Sequence, residues 1–220
     1  PATFNNLTGR SYPNEENTHE LGTIDGFTKT TDFQSFYTYA EQFEQNKEYY
    51  NALNIDALII GTGYGDIVGA DGLVRYAYEY YQNYPVKDVG TASDTTSDTV
   101  INDFRDAIEL IKSSLPDLNI IFIRTFPWDS DQMENIYKVS IGATEEQFNG
   151  AEFQGYLTAT INRANTLYTE LEKVCGQLDV EYLDLSTYTI ENRDTFFDAG
   201  NINFTDAARE VLVPKVIDKV

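Results

Sequence analysis

Apolar residues along this chain recur in two rhythms, short continuous runs and longer stretches at helical spacing, and the two alternate. Ile55-Asp56-Ala57-Leu58-Ile59-Ile60-Gly61 is a short apolar run closed by glycine, and it predicts a strand buried on both faces, as in a parallel sheet. Leu118–Phe126 and Val180–Leu185 predict two more buried strands. Between them the period changes. Phe33, Phe36, Ala40, Phe43 and Tyr50 follow a Thr31-Asp32 cap and predict a helix to about Leu53, because short polar side chains satisfy the free N–H groups of a first turn. Leu73–Tyr81 predicts a second helix. Val100, Ile101, Phe104, Ala107, Ile108 and Ile111 predict a third, which Pro116 ends. Glu145–Gln177 predicts a long helix, interrupted near Gly150 or Gly155. Thr205-Asp206 caps a last amphipathic helix carrying Ala207, Val211, Leu212 and Val216. Residues 1–31, with a short strand around Ala2–Leu7, together with 85–98 and 127–142, read as loops.

Strands that alternate with helices imply βαβ crossovers, hence an α/β fold of three layers, α/β/α, around a parallel sheet. No repeat or linker divides residues 1–220, so the expectation is a single domain. In such sheets the working groups gather at the carboxyl ends of the strands. That places Gly61–Asp66, Thr125–Asp129 and Ser186–Phe204 along one rim.

Charge narrows the field of partners. The chain carries a formal net charge of −21 and a pI near 4.1, a field that repels nucleic-acid phosphates and anionic membrane surfaces. No apolar run approaches a membrane span, which predicts no membrane insertion. No secretory leader is legible, and the sequence leaves open whether Pro1 is a trimmed or a processed start. The single cysteine, Cys175, falls in a helical pattern and reads as a buried structural thiol. With one histidine, His19, the usual general base near neutral pH is scarce.

Several stretches together resemble one enzyme family. These are Asn54–Asp66, which ends in Gly63-Tyr64-Gly65-Asp66; Leu118–Phe126 behind a helix ending in Pro116-Asp117; Tyr182-Leu183-Asp184-Leu185; and Gly200-Asn201-Ile202-Asn203-Phe204-Thr205-Asp206-Ala207-Ala208. In that order they resemble the SGNH (GDSL-like) hydrolases, and the resemblance spans about residues 5–215. It implies a flavodoxin-like sheet and ester hydrolysis. It also implies a nucleophile at Ser11 in Gly9-Arg10-Ser11-Tyr12, a second oxyanion glycine at Gly26, and a Gly-x-Asn-Asp block at Gly63–Asp66. The departures are specific. Gly65 stands where the family has its oxyanion asparagine, Gly200 where it has aspartate, and Asn203 where it has histidine; Asp198 lies two residues before Gly200.

A serine hydroxyl attacks only when a base within hydrogen-bond reach takes its proton, and an asparagine amide is no base near neutral pH. Losing one oxyanion donor costs about 10²–10³ in rate; losing the base as well removes the chemistry. The first expectation is therefore a non-catalytic SGNH-like module that binds carbohydrate or a protein partner. Equally within it is a structural piece of an oligomer or of a larger extracellular, cell-surface or virion assembly. The second is an active serine esterase or carbohydrate deacetylase, with Asp198 or His19 as base and the Gly26 and Gly65 N–H groups as oxyanion donors. A third is a flavodoxin-like domain outside the family.

No cofactor is expected, and no metal: Asp129, Asp131 and Glu134 lack the spaced ligand set of a calcium loop and read as solvated. Tyr64 and Trp128 are candidate binding aromatics on the rim. Tyr76, Tyr78, Tyr80, Tyr81 and Tyr84 fit either core packing or an exposed contact patch. Asn6-Leu7-Thr8 and Asn203-Phe204-Thr205 are glycosylation sequons.

Overall fold

The computed structural model describes residues 44, 46–61, 88–135, 144–197 and 204–220. The expected Ala2–Leu7 strand, the helix at Leu73–Tyr81 and most of the helix from Phe33 lie outside them. Within the span predicted as helix from Phe33 to about Leu53, the described residues hold α1, Lys47–Ala52, which buries Tyr50.

Three strands form one parallel sheet in the order β1-β2-β3: Ala57–Ile60, Asn119–Arg124 and Glu181–Asp184. Ile60 lies opposite Phe122, and Phe122 opposite Tyr182. Side chains alternate between faces, so each strand divides its residues between two clusters. Leu58, Ile60, Ile120 and Phe122 enter the larger cluster, with Tyr182 packed against it. Ile123 and Leu183 pack against the smaller cluster of Leu185, Phe196, Phe197, Ala208, Leu212 and Val216.

Two crossover helices supply the larger cluster. The first, α2, is Val100–Ser114. Thr99 holds an extended backbone and accepts the N–H of Asn102 on its side chain, which starts the helix; Leu115 caps it just before Pro116. Its apolar residues from Val100 to Ile111 repeat at three and four, and all turn inward. Phe104 meets Phe122 edge to face at 5.6 Å, and burying a ring of this size stabilises by about 1.5–3 kcal/mol.

A short α3, Ser130–Asn135, lies where the sequence predicts only loop. Asp129 creates it: its backbone carbonyl accepts the Met133 N–H and its Oδ1 accepts the Gln132 N–H at 2.9 Å, while Met133 and Gln132 are buried. The following helix is interrupted at Gly150 and not at Gly155. α4, Glu145–Phe148, is held by a capping box between Thr144 and Gln147. Gly150 is extended and begins α5, Ala151–Gln177, which runs through Gly155.

Beyond β3 lie α6, Ser186–Glu191, α7, Arg193–Phe196, and α8, Asp206–Ile217, capped by Thr205. Two expectations are corrected. The buried stripe of α8 is Ala208, Leu212 and Val216, at intervals of four; Ala207 and Val211 are exposed. β1 is not buried on both faces, since Ile59 is 38% exposed beside fully buried Ile121. Its other face is covered, because Leu58 and Ile60 meet the crossover helices.

Candidate functional site

The carboxyl ends of the three strands are built from close backbone approaches and short polar links. At Gly61 a Cβ would stand 3.1 Å from the Ile123 side chain, so the chain leaving β1 hugs β2 and favours glycine there.

Arg124 ends β2 opposite Asp184 at the end of β3. Its guanidinium lies 3.5 Å from the Asp184 carboxylate and 4.7 Å from the centroid of the Tyr168 ring on α5. The other carboxylate oxygen of Asp184 accepts both the Ser186 N–H at 2.8 Å and the Ser186 hydroxyl at 2.6 Å. That link turns the chain from β3 into α6. One turn on, the Thr189 hydroxyl lies 2.8 Å from the Thr125 carbonyl and 2.7 Å from the Ser186 carbonyl, tying α6 to the chain that leaves β2.

An aromatic chain continues the rim. Phe126 contacts Trp128 at 4.9 Å and Phe197 at 5.7 Å, and Phe197 contacts Phe204 at 4.9 Å. Phe197 and Phe204 also form an antiparallel bridge, and the Thr205 N–H donates to the Phe196 carbonyl at 2.9 Å. The two ends of the 197–204 stretch are therefore pinned together at the end of β2.

Beside these rings, Arg193 on α7 pairs with Asp129 and, at 3.2 Å, with Asp131. Asp129 thus serves two elements, capping α3 with one oxygen and holding Arg193 with the other. An open cleft of roughly 380 Å³ adjoins the pair, lined by Asp131, Ile190 and residues 191–195.

Two groups, partly buried Tyr182 and buried Cys175, are held in their protonated forms. Burial, and then the Asp184 charge, pushes the Tyr182 hydroxyl above the ordinary tyrosine range. Cys175 is buried, as the helical pattern predicts, and burial, then Glu172, raises its thiol to about 12, so it stays protonated. Among the described residues no three His, Cys, Asp or Glu side chains are grouped to hold a metal ion. Asp129 and Asp131 hold a guanidinium, and Asp129 belongs to a helix cap where the sequence predicts a solvated loop.

Trp128 is the one candidate binding residue from the sequence that falls among the described residues. It is 3% exposed, so its ring packs in the core and presents no open face. Ser11, Gly26, Gly63, Tyr64, Gly65, Asp66, Asp198 and Asn203 lie outside the described residues, as do His19 and the tyrosines from Tyr76 to Tyr84. Sequence reasoning missed Arg124, Ser186, Thr189 and Arg193. Asp184-Leu185-Ser186 carries a readable signal, an aspartate two residues before a hydroxyl at a strand end. Arg193 carries none, because Asp129 is 64 positions away.

These elements define an α/β protein whose parallel sheet ends in a rim of linked polar side chains and aromatic rings in edge-to-face and tilted contact. No protein-family model matches the chain, and no curated protein matches it. Solved structures similar to it include the following two. One crystal structure aligns with a TM-score of 0.42 and 16% identity over 74% of this chain and 63% of its own. A second, of a protein from Lactobacillus plantarum, aligns with a TM-score of 0.40 and 12% identity over 78% of this chain and 70% of its own. The chain therefore spans about 63% of the length of the first of these structures.

Proposed function

We propose that this chain is an SGNH-hydrolase-like module with a three-layer, flavodoxin-like sheet that has lost serine catalysis. It binds carbohydrate or a protein partner, or forms a structural part of an extracellular, cell-surface or virion assembly. The reading is supported by one observation among the described residues: Asp184, Ser186, Thr189 and Asp129 at the rim are all engaged with neighbouring groups. Asp184 holds Ser186 and faces Arg124, Thr189 bridges two carbonyls, and Asp129 holds Arg193. None of these carboxylates is placed as a base beside an open hydroxyl. Asn203 and Gly200 at the family's histidine and aspartate positions point the same way.

The order of the elements supports the layered part of the proposal. Both crossover helices, α2 and α5, pack in the cluster on one face of the sheet, and the strands step in one direction, β1-β2-β3. Right-handed crossovers in one direction put their helices on one face. α8 packs in the cluster on the opposite face. A flavodoxin-like sheet has this arrangement in its last three strands.

A second reading keeps activity, with Ser11 as nucleophile and Asp198 or His19 as base. It is favoured by the Phe197–Phe126 contact, which brings the residue preceding Asp198 to the end of β2.

Hydrolysis of a short-chain aryl ester by the parent and by Ser11→Ala, at high protein concentration, separates the two. Both proteins at the uncatalysed rate is the expected result, and glycan-array binding then identifies a sugar partner. Hydrolysis by the parent that disappears in Ser11→Ala would establish the esterase and overturn the proposal.

A further inference from the structure

We draw no further inference here: the strongest candidate, the apolar flank of the C-terminal helix α8 and the residues after it formed by exposed Val213, Ile217 and Val220, is an unpartnered surface, and nothing in the structure shows what covers it.

Discussion

The carboxylate of Glu170 accepts the backbone N–H of Ala92 at 2.7 Å, across 78 positions of sequence. Arg105 takes the carbonyl of the same residue at 2.9 Å and also donates to Gln177. Ala92 is buried, so both of its backbone groups need protein partners, and α5 and α2 each supply one. This two-sided grip fastens the segment before α2 onto the two crossover helices.

Removing one side of the grip should be costly. Glu170→Ala leaves a buried donor unsatisfied and should lower stability by about 1–3 kcal/mol at neutral pH. Glu170→Gln keeps an acceptor oxygen and should cost less. Hydrogen bonds from Ala92 and then Lys173 hold the Glu170 carboxyl below its ordinary value. A carboxyl held down in the folded state contributes stability above its unfolded pKa and loses it as pH falls through the folded pKa. The gap between parent and Glu170→Ala should therefore narrow from neutral pH to about pH 3, read by urea denaturation at both. An equal gap at both would show that the ionised carboxylate is not what holds Ala92.

Lys112 on α2 caps the far end of α5, donating to the carbonyls of Leu178 and, at 2.8 Å, Asp179. Helix C-termini leave such carbonyls without intrahelical partners, and a cation also suits the negative end of the helix. Lys112→Met keeps most of the apolar stem and should cost about 1–2 kcal/mol. Hydrogen exchange should rise first at the amides near residue 178, and no change in stability or exchange would refute the cap.

Two glycines should respond to alanine with opposite signs. Gly90 has φ +81°, and an added Cβ would stand 2.3 Å from the Thr99 hydroxyl that caps α2. Gly90→Ala combines left-handed strain with a displaced cap and should destabilise by about 2–3 kcal/mol. Gly155 lies inside α5 with nothing within 4 Å of an added Cβ. Gly155→Ala should stabilise by about 0.5–1 kcal/mol by restricting the unfolded chain. Thermal denaturation of the pair tests both, and a shift of the same sign in each would contradict the backbone geometry.

Cys175 is fully buried and its thiol is raised to about 12. The thiolate is the reactive form, so iodoacetamide at mildly alkaline pH should leave the folded protein unlabelled and modify it once denatured. Rapid labelling of the native protein would show that the region around residue 175 opens readily.

Elements whose evidence is local were the most legible. The periodic residues from Val100 to Ile111 and Pro116 locate α2 without reference to anything else in the chain. The apolar runs located β1, β2 and β3 to within two residues at each end. Misses came where a distant neighbour decides. Ile59 looks as buried as Ile60 in the run, yet they point to opposite faces, and only Ile60 meets the crossover helices. Val211 and Leu212 are both apolar, but the face that α8 lays on Ile123 and Leu183 takes Leu212 and leaves Val211 out. Trp128 sits in a polar stretch and looked available for binding; Phe126 and the surrounding core enclose it.

By itself, then, the sequence determined where β1, β2, β3 and α2 lie, because glycines, prolines and hydrophobic periods act over a few residues. It also set the acidic charge and the scarcity of histidine that limit the chemistry. The tertiary structure alone decided which face of each element is covered and which rim side chains engage one another. Ala92 with Glu170 and Asp129 with Arg193 join residues 78 and 64 positions apart. Such pairs exist only once the sheet and its crossover helices have brought distant segments within hydrogen-bond reach.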